Sequence, residues 1–274
     1  MSYFRLSNGE ELYYEEMGSG DTTVLMLHGW SANSSVFRRA MPRIAGAARC
    51  IVYDQRGHGN SKGANREHVT MDTLTSDLNE IINGLGLKDI VLLGWSMGAA
   101  VVMNYISTYG CGALRRVVLC DMTPRQLNDS DWKLGLYRGN YTREEMEADE
   151  EMDFGDLFMK FSVGVVPKLS KVPESLLRPP LMKRLALCDE SVLRSLSKSL
   201  CEKDWRETVE QITVPVRYFY AVPGSIFSPE LVIWYRQHVR TSFRAVAFRK
   251  STHMLIPEHS RKFADEVLRV VREG

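Results

Sequence analysis

The sequence predicts an α/β protein in which a mainly parallel sheet carries helices on both faces. Short apolar runs that are typical of buried strands alternate with longer segments of helical periodicity. The chain has 274 residues, of which 44% are hydrophobic and 25% charged, so one large domain can bury a sizeable core. The alternation is interrupted once, between about Thr123 and Val209, which indicates an inserted segment.

The chain opens with an antiparallel hairpin, because Asn8 and Gly9 separate strand-like residues 3–6 and 11–15. The α/β alternation follows. Strands are predicted at residues 24–27, 50–53, 90–93, 116–120, 216–220 and 245–248. Helices are predicted near residues 35–45, 71–85, 97–109, 229–239 and 259–272, the fourth with Ser228 as N-cap and Pro229 at its first position.

The inserted segment has a different pattern. Spaced apolar residues at 157–161, 176–187 and 192–200 predict short amphipathic helices. We therefore predict a helical lid over residues 123–209, inserted into a core of residues 1–122 and 210–274. The lid carries an acidic run over residues 144–156, followed by scattered lysines and arginines. These charges fit either solvated helix faces or a docking surface for an anionic substrate or carrier.

Residues 94–98 read Gly-Trp-Ser-Met-Gly, between a strand-like run and a helical one. A serine in such a turn sits on a strained backbone that exposes its hydroxyl, and flanking glycines remove the Cβ atoms that would clash there. Because the pentapeptide also arises by chance, its strand and helix neighbours are what make Ser96 a candidate nucleophile. The alternative is a tight turn with a spectator serine.

His253 is the candidate base. It lies on a loop after the last predicted strand and before the last helix, at the carboxyl edge of the sheet, where it can reach Ser96. The alternative is a surface histidine. Of the other histidines, His68, His238 and His259 lie in polar or surface contexts without metal-ligand spacing.

Taken together, the chain resembles α/β-hydrolase-fold proteins of the lidded, single-domain kind. The matching pieces are His28-Gly29-Trp30, residues 54–61, the pentapeptide around Ser96, and His253. The His28-Gly29-Trp30 motif and the pentapeptide around Ser96 are similar to those of small carboxylesterases, including the enzymes that demethylate pimeloyl esters on acyl carrier protein. The resemblance implies that the backbone amides of Trp30 and Met97 form an oxyanion hole. It also implies that residues 54–61 form a supporting loop.

The triad acid departs from this family's pattern. The acid normally follows the strand at 216–220, where this chain has Gly224. We predict Asp121 instead, because it ends the strand at 116–120 and keeps the order nucleophile, acid, base. A carboxylate there could accept the His253 Nδ1–H and fix its tautomer. The alternatives are a turn role for Asp121, a Ser96–His253 dyad, or an acid at Asp129, Asp131 or Glu230.

These residues predict a serine hydrolase that cleaves a small-molecule ester or thioester of small to medium acyl size through an acyl-enzyme. No cofactor and no metal is implied. The alternatives on the same scaffold are lactone opening, C–C bond hydrolysis, perhydrolysis and acyl-carrier ester demethylation. A non-catalytic ligand-binding or sensor protein that lost its usual acid is the alternative of another class.

Composition excludes several other classes. With 35 basic and 34 acidic residues, the net charge of +1 gives no support for nucleic-acid binding. Five cysteines without C-x-x-C spacing favour reduced, structural thiols, and no apolar signal core or membrane span is found, so we expect a cytoplasmic protein. The sequence leaves the oligomeric state open. It also leaves open whether the lid aromatics line a pocket or pack together: Trp132, Tyr137, Phe154, Phe158 and Phe161.

Overall fold

A computed structural model describes residues 2–62 and 68–273. Within them, eight strands form a sheet of order β1-β2-β4-β3-β5-β6-β7-β8. β1, β2 and β4 pair antiparallel, and the other neighbours pair parallel. The strands are β1 (Ser2–Arg5), β2 (Glu11–Met17), β3 (Thr23–Leu27), β4 (Arg49–Tyr53), β5 (Ile90–Trp95), β6 (Leu114–Cys120), β7 (Val216–Gly224) and β8 (Phe243–Thr252). The predicted mainly parallel α/β architecture is confirmed.

Helices cover both faces of the sheet. They are α1 (Met41–Ile44), α2 (Met71–Gly84), α3 (Met97–Tyr109), α4 (Leu136–Gly139), α5 (Arg143–Glu150), α6 (Phe154–Val165), α7 (Glu174–Leu185), α8 (Glu190–Glu202), α9 (Arg206–Gln211), α10 (Leu231–His238), α11 (Leu255–Glu258) and α12 (Ser260–Arg272). Short 3₁₀ turns lie at Ser34–Phe37, Gly59–Ser61 and Pro167–Lys171. Across the described parts of the chain, none of these helices combines the length and the apolar character that a bilayer crossing requires.

The core lies in two layers, one on each side of the sheet. Strand β3 shows why, since all five of its residues are buried and its side chains alternate between the layers. Leu25 and Leu27 pack with helices α2 and α3, whereas Val24 and Met26 pack with α1 and α12. The sheet is therefore enclosed, and its carboxyl edge is the place where loops can gather side chains.

Two of the helices predicted in the core differ clearly from the structure. The pattern at 35–45 is split into a 3₁₀ turn and α1, because Pro42 in the first turn of α1 has no N–H to continue an earlier helix. Helix α10 begins at Leu231 rather than at Pro229. The Leu231 and Val232 amides donate to carbonyls three residues back, so Ser228 and Pro229 belong to a tight turn before the helix.

The predicted segment, residues 123–209, contains helices and no strand, and all of its residues are described. Its helices are α4–α9, of which the last ends at Gln211. This helical segment contacts the loops that follow β3 and β4. The Trp30 indole Nε1 donates to the Leu193 carbonyl at 2.9 Å, and the Gly59 amide donates to the Leu187 carbonyl at 2.8 Å. The segment thus covers the carboxyl edge, and we keep the name lid for residues 123–209, whose boundaries stay a prediction.

Candidate active site

Ser96 occupies a strained turn between β5 and α3. Its backbone angles are φ 54° and ψ −125°, a region that costs a residue with a side chain about 1–3 kcal/mol. The two glycines of the pentapeptide are required sterically, because a Cβ at Gly94 would lie 2.2 Å from the Gly98 carbonyl oxygen. A Cβ at Gly98 would lie 2.4 Å from the Leu27 carbonyl oxygen. Strand and helix therefore approach closely enough to hold Ser96 at the strand's end.

His253 and Asp121 meet at the carboxyl edge of the sheet. The distance from His253 Nδ1 to Asp121 Oδ2 is 2.7 Å, and both side chains are 1% exposed. Among the described residues, the other ring nitrogen, His253 Nε2, has no hydrogen-bond partner. With Nδ1–H donating to the carboxylate, Nε2 carries the free lone pair of the neutral ring. This nitrogen is the one that a general base would use.

Asp121 accepts two further hydrogen bonds. Its Oδ1 accepts the Ala221 amide at 3.1 Å, and its Oδ2 accepts the Ser225 hydroxyl at 2.8 Å. Ser225 Oγ in turn accepts the Phe227 amide at 2.9 Å. Sequence reasoning missed Ser225, although a hydroxyl directly after Gly224 in a chain that lacks the usual acid was an available signal. These donors fix the carboxylate toward His253.

The structure gives a steric reason for Gly224. A Cβ there would lie 2.7 Å from the Ser251 carbonyl oxygen of the neighbouring strand β8. A side chain at the usual acid position would therefore force the two strands apart. The Ser225 hydroxyl, one residue later, reaches the carboxylate that β6 supplies instead.

The other carboxylates that the sequence left open lie elsewhere. Asp129 and Asp131 are exposed and pair with Arg125 and Arg206, respectively. Glu230 is exposed and accepts the Ser228 hydroxyl at 3.1 Å. None of these carboxylates contacts His253, so Asp121 is the candidate acid that the geometry supports.

Two neighbours that sequence reasoning did not assign hold the imidazole in place. The Trp95 indole Nε1 donates to the His253 carbonyl at 3.0 Å, and the two rings lie 5.5 Å apart. Phe227 packs edge-on at 5.7 Å. Trp95 belongs to the pentapeptide itself, so it links the backbone before Ser96 to the loop that carries His253.

Met97 follows the serine directly, and Trp30 lines the same cavities as the serine. Met97 is the first residue of α3, where backbone amides have no acceptor within the helix. Trp30 follows Gly29, and a Cβ on Gly29 would lie 3.0 Å from the Ser96 Cβ. The two predicted oxyanion donors therefore belong to segments that flank Ser96, and their role stays a prediction.

His28 and His58 have structural roles. His28 Nε2 accepts the Gln55 amide at 2.9 Å, and His58 Nε2 accepts the Ser31 amide at 3.3 Å. Burial lowers the pKa of His28 to about 4 and that of His58 to about 3, and the neighbouring His28 ring contributes to the second shift. Both rings are neutral at neutral pH and join the loops after β3 and β4.

Two cavities meet at Ser96. The first lobe, of about 80 Å³, includes His253, Met254 and Arg184 in its lining. The second lobe, of about 60 Å³, includes Met122, Gln126, Tyr141, Asp149, Ile226 and Phe227. Trp30, Ser96 and Phe161 line both lobes. The division suits a substrate that extends in two directions from a central carbonyl.

The lid aromatics divide between pocket and packing. Tyr137, Phe158 and Phe161 line the lobes. Phe154 packs against the Trp30 ring at 6.2 Å, and Trp132 packs against Trp234 at 5.3 Å. No cluster of three or more His, Cys, Asp or Glu side chains that could hold a metal ion is found in residues 2–62 and 68–273.

Comparison with known proteins gives this arrangement a family context. Residues 22–200 match the family model described as alpha/beta hydrolase fold. A non-heme chloroperoxidase, CPO-A1, of Kitasatospora aureofaciens is 33% identical over 125 residues, which span 45% of each chain. This match therefore covers less than half of that relative's length.

Two further proteins match over nearly the whole chain. A pimeloyl-[acyl-carrier protein] methyl ester esterase of Nitrosospira multiformis is 25% identical over 95% of this chain and 98% of that protein. The solved structure of an esterase from Exiguobacterium antarcticum superposes with a TM-score of 0.84 at 23% identity, covering 99% of both chains. The structural similarity concerns the fold.

Proposed function

The chain belongs to the α/β-hydrolase fold family, and from this premise we propose that it is a serine hydrolase that cleaves a carboxylic ester or thioester through an acyl-enzyme. The observation that carries the proposal is the 2.7 Å hydrogen bond between His253 Nδ1 and Asp121 Oδ2, with Ser96 on the wall of the same cavity as His253. A nucleophile, a base and a group that orients the base are the parts that acyl transfer requires.

In the proposed reaction, His253 Nε2 accepts the Ser96 hydroxyl proton as Ser96 Oγ attacks the carbonyl carbon. Asp121 stabilises the imidazolium that forms and keeps the ring in the tautomer that accepts at Nε2. The imidazolium then protonates the departing alcohol or thiol. Water repeats the sequence on the acyl-enzyme, releases the acid and restores Ser96.

The negative charge of the tetrahedral intermediate falls on the former carbonyl oxygen. We assign its stabilisation to the Trp30 and Met97 amides, which belong to the segments flanking Ser96. Preorganised donors in a site with little water contribute about 3 kcal/mol each to transition-state stabilisation. No metal or cofactor takes part in these steps.

Perhydrolysis is a second candidate activity, because the chain is similar over 125 residues to a protein named a chloroperoxidase. In that reaction, hydrogen peroxide rather than water attacks the carbonyl carbon of the acyl-enzyme. The bond from the acyl group to Ser96 Oγ breaks, the serine hydroxyl is restored, and the acyl group is released as a peracid. Perhydrolysis is tested by incubating the protein with acetate, hydrogen peroxide and bromide and measuring the bromination of an organic dye. Bromination that matches a Ser96→Ala blank contradicts this activity.

The proposal is tested by covalent labelling and by turnover. We expect a fluorophosphonate to label the wild-type protein on Ser96, with the site located by peptide mass spectrometry, and we expect hydrolysis of para-nitrophenyl acetate. Ser96→Ala is the blank for both measurements, because it removes the nucleophilic hydroxyl and keeps the Cβ. Folded wild type that is neither labelled nor active would instead support the non-catalytic, ligand-binding alternative.

A further inference from the structure

We propose that Arg184 recognises an anionic group on the alcohol or thiol portion of the substrate. This inference rests on the proposed ester or thioester hydrolysis and adds the class of leaving group to it. It follows from the different chemistry of the two lobes that meet at Ser96.

The first lobe is the one suited to the leaving group. His253 lines the first lobe and is absent from the lining of the second. In acyl transfer, the histidine donates its proton to the departing oxygen or sulfur, so the leaving group must lie on the side of the serine where the imidazole is accessible. The acyl chain then extends into the second lobe.

Arg184 stands at the mouth of the first lobe. It lies in the last turn of α7, where its exposed side chain lines both the first lobe and an adjoining outer cavity of about 260 Å³. Much of the remaining wall of the first lobe is apolar and includes Phe158, Val165 and Leu181. A substrate that leaves the apolar region toward solvent therefore passes the guanidinium.

Arg184 lacks an acidic partner among the described residues, unlike the lid cations Arg178, Arg194 and Lys198. Arg178 on the same helix pairs with Asp156 and also with Glu174, the latter at 3.4 Å. An unpaired guanidinium at a cavity mouth presents its full fork of N–H donors, which matches the geometry of a carboxylate or a phosphate.

Among the residues described, the second lobe has no comparable unpaired cation in its lining. Asp149 lines that lobe and also an outer cavity of about 370 Å³ beyond it, and its carboxylate pairs with Lys160 at 2.5 Å. Two cations line this outer cavity, but Arg194 pairs with Glu190 at 3.0 Å and Lys198 pairs with Glu150 at 3.3 Å. An anionic substituent is therefore better accommodated on the leaving group than on the acyl chain.

The experiment compares two esters with one acetyl group and matched leaving groups. Para-acetoxybenzoate carries a carboxylate on the leaving phenol, whereas para-acetoxybenzamide carries a neutral amide there. The measured quantity is the ratio of kcat/KM for the carboxylate ester to kcat/KM for the amide ester. We expect the wild type to favour the carboxylate ester and Arg184→Gln to reduce the ratio by about 10- to 100-fold, the effect of a lost charge-assisted hydrogen bond.

Two further variants separate recognition from general charge. Lys183→Gln removes a positive charge one residue away on the same helix, from a side chain that is exposed and does not line the lobe, so it should retain the wild-type ratio. Arg184→Lys should give an intermediate ratio, because an ammonium keeps the charge and loses the planar fork. Para-acetoxyphenyl phosphate, measured in parallel, shows whether carboxylate or phosphate is the preferred anion.

The outcomes separate the two proposals. Hydrolysis of para-acetoxybenzamide by wild type, with a carboxylate-to-amide ratio that Arg184→Gln leaves within twofold, overturns the role of Arg184 while the hydrolase proposal stands. An equal fall of the ratio in Lys183→Gln also overturns it. Wild type that hydrolyses neither ester above the Ser96→Ala blank overturns the hydrolase proposal itself.

Discussion

Replacing Asp121 by asparagine changes little in shape and removes the charge on which His253 depends. The carboxylate accepts three donors, from His253 Nδ1, the Ser225 hydroxyl and the Ala221 amide. An amide nitrogen cannot accept from any of them. If it faces His253, the ring is driven into the tautomer with hydrogen on Nε2, and that ring no longer takes the Ser96 proton.

The magnitude follows from the geometry. With 2.7 Å between the bonded atoms, the centres of the imidazolium and carboxylate charges are about 4 Å apart, and at an effective dielectric of about 20 they attract by about 4 kcal/mol. Loss of that attraction in the transition state slows the reaction by about 10³-fold. The unfavourable tautomer adds to this loss, so we expect kcat to fall by about 10³- to 10⁴-fold.

The assay is hydrolysis of para-nitrophenyl acetate, with Ser96→Ala as the blank and urea unfolding as the check that each variant is folded. Asp129→Asn is the matched control, because Asp129 is exposed and pairs with Arg125 instead of His253. It should retain wild-type activity. The reasoning is refuted if folded Asp121→Asn stays within tenfold of wild type, or if Asp129→Asn loses as much.

Three further predictions concern Ser225, Gly224 and the two buried histidines His28 and His58. Ser225→Ala removes the hydroxyl that donates to Asp121 at 2.8 Å, so kcat for para-nitrophenyl acetate should fall about tenfold. The control is Ser228→Ala, whose hydroxyl bonds the exposed Glu230 and which should change kcat less than twofold. Equal effects of the two variants contradict a role for Ser225 in holding Asp121. Gly224→Ala should lower the free energy of unfolding, measured in urea, by about 1–3 kcal/mol, because its Cβ would lie 2.7 Å from the Ser251 carbonyl oxygen. The control is Gly112→Ala, which has open space around it and should stay within about 0.5 kcal/mol of wild type. In the folded chain the pKa of His28 is about 4 and that of His58 is about 3, whereas in the unfolded chain a histidine pKa is near 6.5. Below pH 6.5 the unfolded chain therefore binds protons at these two residues and the folded chain does not. Stability should therefore fall as the pH is lowered, by about 2 kcal/mol per histidine between pH 7 and pH 5, and an unchanged urea midpoint over this range would show that the two rings are not held neutral.

The sheet and the serine turn could be predicted because they are encoded locally. Strand β5 is a continuous apolar run, and the glycines that permit the turn at Ser96 lie within two residues of it. The divided helix at 35–45 shows the limit of such patterns, because periodicity does not reveal where Pro42 interrupts the hydrogen bonding. Element types followed from the pattern, and several element ends did not.

The candidate site was only partly predictable. Chain order and strand ends pointed to Ser96, Asp121 and His253, but four carboxylates remained open as the acid. Their separation in the chain is the reason: Asp121 and His253 are 132 residues apart, and Asp121 and Ser225 are 104 apart. Which side chains meet at the carboxyl edge depends on strand order and twist, and no local pattern records these.

By itself, the sequence determined the α/β class, the serine turn and the loop that carries the histidine, because backbone conformation and apolar periodicity are set by neighbouring residues. Only the tertiary structure decided that β6, beside β7 in the sheet, places Asp121 against His253. It also decided that β8 leaves no room for a side chain at Gly224 and that the lid leaves Arg184 at the mouth of one lobe. These features depend on distances between segments far apart in the chain, which are fixed when the sheet and the lid pack together.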